Sequence, residues 1–195
     1  METTHAEAPT VQRGASTKIT AGIASAVAVV ALVFALNTTD APSHWYAVFK
    51  LIHVSLAVFW VGGGLALTVL ALRAERSNDS LEMATIAKQA AFIGERFFAP
   101  AGLVVLAMGI TMVVNDHIGF GTTWVDIGLV GYALTFTTGI GFLSPRAKRI
   151  AELLDTKGPD AAETQAAIRQ ILLIARVDIG VLLLVVADML MKPFS

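Results

Sequence analysis

Five long apolar runs constrain the fold of this chain more than any other feature of its sequence. They cover residues 19–36, 45–71, 97–114, 125–143 and 171–191. A helix of about 18 or more apolar residues crosses the roughly 30 Å of hydrocarbon in a bilayer. Continuous helices also satisfy every backbone N–H and C=O internally, as lipid requires. The runs therefore predict an all-α integral membrane helical bundle with about five transmembrane helices.

The composition supports this class of protein and excludes others. The 195 residues are 55% hydrophobic and 15% charged, whereas soluble domains carry about 25% charged residues. A net charge of −1 argues against nucleic acid as a partner, and the absence of cysteine excludes disulfides and thiolate metal sites. We assign residues 1–17 to a flexible cytoplasmic tail and residues 18–195 to a transmembrane helical domain. The first run is longer than the core of a typical signal peptide, which favours an uncleaved span.

Lysine and arginine are distributed unevenly between the two ends of the predicted spans. One end carries most of them: Arg13, Lys18, Arg73, Arg76, Lys88, Arg96, Arg146, Lys148, Arg149, Lys157 and Arg169. The other end carries two lysines beside three aromatic residues of the interfacial type: Lys50, Lys192, Trp45, Tyr46 and Trp124. The positive-inside rule therefore predicts a cytoplasmic N-terminus and a periplasmic or extracellular C-terminus. The lipid bilayer is the predicted partner, with a second copy or another membrane protein as further candidates.

Two similar sequences connect the predicted spans on the basic side. Asp79 is followed three residues later by Glu82, and Asp160 is followed at the same spacing by Glu163. Both pairs fit a capping box, in which the residue at the N-cap starts a helix. We expect the third and fifth spans to continue as helices beyond the membrane. Spans two and three and spans four and five then form two hairpins of a four-helix bundle, with the first span at its periphery.

Four ionisable residues form a layer near the cytoplasmic boundary of the predicted bundle: Glu95, Arg96, Arg176 and Asp178. Charges inside a span are costly and usually face the interior of the bundle. We interpret them as a salt-bridge network in which each arginine pairs with Glu95 or Asp178. The alternative is a site for an anionic group, such as a lipid headgroup or a propionate.

A histidine lies near the start of the second predicted span, in the segment FKLIHVSLAVFWVGGG. His53 needs a polar partner in the membrane, and Asp188 is one candidate, although a lysine at the i, i+4 spacing competes for that carboxylate. Lys50 lies one turn before His53. Deeper in the same span, Gly63 and Gly64 leave room for a flat ligand or for the close approach of another helix.

Thioether and imidazole groups occur together near the non-cytoplasmic end of the bundle. Met108 and Met112 are one helical turn apart, and His117 follows in the predicted loop. With His53 they form a set that suits Cu(I), and a histidine–methionine pair also ligates haem iron. Methionine in an apolar helix is also a common packing residue, so the pattern leaves both interpretations open.

Four segments carry a resemblance to known proteins: LIHVSLAVFWVGGG, ERFFAPAGLVVLAMGI, GFLSPRAKRIAELL and ARVDIGVLLLVVADMLMKP. From residue 49 to residue 193 the chain resembles a family of predicted integral membrane proteins within the bacterial CopD-like superfamily. Relatives in that superfamily include the CopD copper proteins and HemJ, a haem-containing type of protoporphyrinogen oxidase. The resemblance implies a location in the bacterial inner membrane, and it makes His53 the candidate metal or haem ligand.

Three functional hypotheses follow from the residues and the resemblance together. In the first, the protein is a b-type haem redox protein, with His53 as axial ligand and Met108, Met112 or His117 opposite. In the second, it is a copper-handling transporter that uses His53 and the methionines. In the third, it is a structural or assembly subunit without a ligand. The hypotheses leave open whether the protein is an enzyme.

Overall fold

The computed structural model describes residues 43–77 and 79–193, which form four long helices without any strand. Helix α1 is Ser43–Ser77. Helix α2 is Ser80–Asn115, α3 is Thr123–Lys157 and α4 is Ala162–Met191, and all four helices are long and apolar enough to cross a membrane. The predicted all-α membrane bundle is confirmed for this part of the chain. The predicted first span and the N-terminal tail lie outside the described residues.

The four helices are arranged as two antiparallel hairpins. α1 packs along α2 and α3 packs along α4, and α1 also contacts α4, which closes the four-helix bundle. Short connections between consecutive helices favour this antiparallel arrangement. We call the end where α1 and α3 finish the basic end, because the lysines and arginines predicted to be cytoplasmic cluster there. The opposite end, which carries Trp45 and Trp124, is called the aromatic end.

All four helices extend beyond the predicted spans at the basic end. The expected extensions of α2 and α4 are present, and α1 and α3 extend in the same way. Here the helices bury Ala74, Met83, Ile150 and Ile168, each at most 6% exposed, in one apolar cluster. Outside the hydrocarbon, burial of a large apolar side chain contributes about 1.5–3 kcal/mol. The cluster therefore ties the two hairpins together at this end.

The helix start predicted at Asp79 is confirmed. The Asp79 carboxylate accepts hydrogen bonds from the backbone N–H groups of Leu81 (3.0 Å) and Glu82 (2.9 Å). It thereby satisfies two of the donors that a helix N-terminus leaves without a partner inside the helix.

The helix start predicted at Asp160 is wrong. α4 begins two residues later, and no side chain caps it. The Asp160 carboxylate instead accepts a hydrogen bond from Ser80 Oγ at the start of α2, and Glu163 pairs with Arg149 and Lys157 on α3. Asp160 therefore joins the α3–α4 connection to α2, and Glu163 joins α4 to α3, so each carboxylate bonds to a neighbouring helix instead of the start of α4.

Two of the helices each contain one π-helical segment. It covers Gly94–Phe98 in α2 and Thr138–Leu143 in α3. Each segment precedes a proline, Pro100 or Pro145, at the start of the next α-helical section. Proline has no N–H to donate, and its ring crowds the carbonyl of the preceding turn. The backbone widens to i→i−5 hydrogen bonds there, as in the bond from the Ala99 N–H to the carbonyl of the residue five positions earlier.

Candidate functional site

A cavity of about 440 Å³ lies between the four helices, in the half of the bundle nearer the basic end. Its volume is within the usual range of small-molecule sites, roughly 300–1,000 Å³. Many of its wall positions are occupied by glycine or alanine, among them Ala90, Gly94, Gly139 and Ala175. Because these residues have little or no side chain, the space between the helices stays open. Two of the glycines belong to the π segments, so the proline-induced bulges form part of the wall.

Four aromatic residues separate the cavity from the aromatic end: Trp60, Phe98, Tyr132 and Phe136. We call them the aromatic layer; they pack together with leucine and isoleucine side chains of α4. The Trp60 ring meets the Tyr132 ring edge to face, with centroids 6.1 Å apart, and Tyr132 stacks on Phe136 at 5.4 Å. Gly102 makes room for the layer, since a Cβ there would lie 3.1 Å from the Trp60 ring.

The charged residues in the cavity wall are paired differently from the prediction. Arg176 Nη2 lies 2.5 Å from Glu75 Oε1, although the direction of approach does not make a hydrogen bond. Lys148 Nζ lies 3.5 Å from Glu95 Oε1, and Ser144 Oγ donates to the same oxygen at 2.7 Å. The ion pairs therefore join α1 to α4 and α2 to α3.

The predicted pairs of Arg96 and Arg176 with Glu95 or Asp178 are wrong. Arg176 and Asp178 are two residues apart on one helix, and side chains at that spacing do not face each other. The Arg96 guanidinium lies over the ring of Phe92 one turn earlier, 5.2 Å from its centroid. Glu75 was missed because it follows the apolar run of α1 and looks, in sequence, like part of a charged loop.

Among the residues that the structure describes, Asp178 is the one acid of this wall without a protein partner. Its carboxylate is half-buried, lines the cavity and makes no hydrogen bond or ion pair with any residue in the described ranges. It lies seven residues beyond Ile171, or about 10 Å along α4, and so lies within the predicted span. A carboxylate placed beside an apolar cavity is costly unless a cation or a hydrogen-bond donor meets it.

His53 is on α1 and its ring contacts α2. The prediction that it pairs with Asp188 is wrong. The His53 Nδ1 atom lies 2.8 Å from the Val105 carbonyl oxygen, and the ring packs against Gly109, where a Cβ would lie 3.2 Å from His53 Cε1. A carbonyl oxygen only accepts, so Nδ1 carries the hydrogen, and in the neutral ring Nε2 keeps its lone pair. The glycine explains the close approach of the two helices at this level.

Side chains of neighbouring helices pack directly against Gly63 and Gly64. A Cβ on Gly63 would lie 2.9 Å from the Phe98 ring, and one on Gly64 would lie 2.6 Å from Ile179 Cδ1. The space that the sequence suggested for a flat ligand is therefore filled by α2 and α4. Of the two interpretations that the sequence left open, the structure supports close helix packing.

The remaining candidate residues lie apart from the cavity. Met108 is 6% exposed and packs with Phe49, and Met112 borders the same cluster. His117 is exposed in the loop after α2 with φ 52°, and the Lys50 ammonium lies over a tyrosine ring one turn earlier. Among the described residues, no three histidine or acidic side chains converge in a way that could hold a metal ion.

The fold defines the class of the protein as an integral membrane protein built on a four-helix bundle. The chain belongs to the family described as "Predicted integral membrane protein (DUF2269)", whose family model matches residues 47–193. Comparisons with curated proteins and with solved structures return no match. Membership of a family of integral membrane proteins is thus confirmed, while the link to the CopD-like superfamily stays a prediction.

Proposed function

We propose that the protein binds an amphipathic molecule with a cationic head in the cavity between its four helices. The observation that carries the proposal is the carboxylate of Asp178, which has no partner within residues 43–77 and 79–193 and borders an otherwise largely apolar space. An ammonium group would neutralise this carboxylate, and the attached hydrocarbon would contact the apolar wall. The ion pair is strong where water is scarce, and charge-assisted hydrogen bonds are about twice as strong as neutral ones.

The distribution of charge around the cavity supports a cationic head over an anionic one. Glu75 and Glu95 already face Arg176 and Lys148, respectively, so the two basic residues of the wall are paired. Asp178 is left with one uncompensated negative charge. An anionic headgroup, which the sequence had suggested, would have to displace an acid from its base before it could bind.

Asp178→Asn is expected to weaken binding of a hydrophobic amine by about 10- to 100-fold, because it removes an ion pair in a low-dielectric site. Saturable binding of radiolabelled dodecylamine to the protein in zwitterionic nanodiscs measures this, with protein-free discs as background. Asp126→Asn, an exposed acid at the aromatic end, is the matched control. Dodecanol, which has no charge, should displace a neutral probe from the cavity with the same affinity in the wild type and in the variant. Unchanged dodecylamine affinity in Asp178→Asn would contradict the proposal.

We propose metal ligation by His53 as a second candidate function. The supporting observation is the hydrogen bond to Val105, because ligating histidines commonly donate their other ring N–H to an acceptor that fixes the tautomer. Met112 is on the same face of α2 as Val105 and Gly109, at helical spacing. This face therefore presents a thioether on the side where His53 contacts α2, and imidazole with thioether is a ligand pair that suits Cu(I). A haem at Gly63 and Gly64 does not fit, since side chains fill that space.

Reconstitution separates the metal hypotheses. If His53 ligates copper, Cu(I) affinity in a chelator competition should fall at least about tenfold in His53→Ala, with a smaller loss in Met112→Leu. His117→Ala, in the exposed loop, serves as the control. A Soret band that appears after addition of haem and disappears in His53→Ala would support the haem hypothesis instead. If neither ligand binds and no amphipath binds, the third hypothesis, a structural or assembly subunit, gains support.

We also propose that the protein resides in the bacterial inner membrane with its basic end in the cytoplasm. The charges at this end support the orientation, because basic loops are retained on the cytoplasmic side. A reporter that is active only outside the cytoplasm should work when fused after Ser195 and fail when fused after Thr156. The opposite pattern of reporter activity would reverse the assignment. A second copy or another membrane protein as partner stays a prediction.

A further inference from the structure

A second acidic side chain inside the bundle lacks a partner in the described part of the chain. Asp188 is on α4 near the aromatic end and is only 8% exposed, and neither of its carboxylate oxygens makes a hydrogen bond with any described residue. The lysine at the i, i+4 position does not pair with it, because the Lys192 ammonium lies over the Trp124 ring, 4.9 Å from the centroid. A buried carboxyl group in these surroundings is stable when it carries a proton or contacts a cation.

The register of α3 against α4 places a third polar residue between the levels of Asp188 and Asp178. Gly128 packs against the side chains of Asp188 and its neighbour, and Gly131 packs against Val185. Tyr132, the next residue of α3, therefore lies one to two turns further from the aromatic end than Asp188. Its ring is part of the aromatic layer, and its hydroxyl is buried without a partner among the described residues.

Together these groups form a line along the bundle. Asp188 and Asp178 are ten residues apart on α4, which corresponds to about 15 Å along the axis. By the helix register, Tyr132 lies between the two aspartates along this axis, and water molecules can bridge polar groups that do not touch directly. Buried polar atoms without a protein partner are unusual and commonly bind water. Ionisable residues in a line through a membrane domain are typical of proton relays.

We propose that protons move between the aromatic end and the ligand cavity through Asp188, Tyr132 and Asp178. In each transfer the protonated carboxyl of Asp188 gives its proton to a bridging water, which passes one of its own to the Tyr132 oxygen. The tyrosine hydroxyl releases its original proton to the next water, and this water protonates the Asp178 carboxylate. Asp178 then releases its proton through the cavity towards the basic end, and Asp188 regains one from the aromatic end, so every bond broken is matched by one formed.

The other titratable groups near this line are engaged elsewhere. At the aromatic end His53 bonds to a backbone carbonyl, Asp126 accepts from the Gly121 N–H at 3.2 Å, and Tyr46 interacts with Asp116. Lys50 lies over the Tyr46 ring, and His117 is exposed in the loop. Around the cavity, Arg176 and Lys148 each face a glutamate. The relay therefore depends on the three groups named above.

Proton flux into proteoliposomes tests the proposal. The full chain is reconstituted with a trapped pH-sensitive dye, and a potassium diffusion potential drives protons across the membrane. Asp188→Asn and Tyr132→Phe should each lower the protein-dependent rate at least about tenfold, since each removes one obligatory carrier. The chain has two tyrosines, so Tyr46→Phe is a matched control, as is Asp116→Asn for the aspartate. Both controls should conduct within about twofold of wild type.

Three outcomes would overturn the relay. They are a wild-type rate equal to that of protein-free liposomes, a wild-type rate in Tyr132→Phe, and an equal loss in the control variants. If gel filtration shows that Asp188→Asn does not fold, the proton flux of Tyr132→Phe still tests the relay. This variant removes a single oxygen and keeps the ring, so the bundle should fold. The relay shares only its endpoint, Asp178, with the proposed ligand site. Proton flux without dodecylamine binding would therefore contradict the proposed function and leave the relay intact.

Discussion

Replacement of Ala175 by phenylalanine is expected to abolish binding of a hydrophobic amine, with at least about a 100-fold loss of affinity. Ala175 is half-buried on α4 and lines the cavity. A phenyl group would occupy much of the 440 Å³ that the ligand needs. The bundle should still fold, because the new side chain enters existing space and adds apolar contacts. Dodecylamine binding in nanodiscs measures the loss.

Two further variants make this test specific to the cavity. Ala90→Leu fills the same space from α2 and should weaken binding as well. Ala133→Phe adds the same side chain as Ala175→Phe, but at an exposed position on α3, and should leave the affinity unchanged. Full binding in both cavity variants, with normal gel filtration, would show that the amphipath binds elsewhere.

Glu75→Gln is expected to lower the free energy of unfolding by about 3 kcal/mol, because it leaves the Arg176 guanidinium largely buried without its acid. The side chains of this ion pair are only 25% and 27% exposed. In a domain of this size such a loss corresponds to a fall in Tm of roughly 10 °C. Thermal unfolding in detergent, followed by circular dichroism, measures the shift.

An exposed ion pair provides the comparison. Glu163 pairs with Arg149 and Lys157 at the basic end, and its side chain is 46% exposed. Solvent screens such contacts, so Glu163→Gln should lower the Tm much less than Glu75→Gln does. Equal Tm shifts in the two variants would show that the Glu75–Arg176 pair is hydrated and contributes no more than a surface contact.

Several errors of the sequence-based interpretation have one cause, the rotation of each helix about its axis. The sequence places Arg176, Asp178 and Glu95 at similar depth, but it does not say which helix each side chain faces. The structure directs Arg176 towards Glu75 on α1, and it leaves Asp178 in the cavity. Likewise, His53 finds a backbone carbonyl of α2, an acceptor that no side-chain pattern reveals.

The π segments are a different kind of omission, because their signal is present in the sequence. Pro100 and Pro145 each lie inside a long helical pattern, where proline removes one hydrogen bond and distorts the preceding turn. A bend or a bulge was therefore foreseeable at both positions. The choice of a π-helical turn, and its place in the cavity wall, depend on how the neighbouring helices pack.

The sequence by itself determined the helical class, the four spans of the described chain and the helix start at Asp79. These features depend on local rules, because hydrocarbon forces each backbone segment to satisfy its own hydrogen bonds, and a cap acts on the next three residues. Only the tertiary structure decided the cavity, the ion pairs of its wall and the lack of a partner for Asp178 and Asp188 among the described residues. These features arise between helices. Rotating a helix about its axis by one residue, about 100°, turns a side chain from a neighbouring helix towards the lipid.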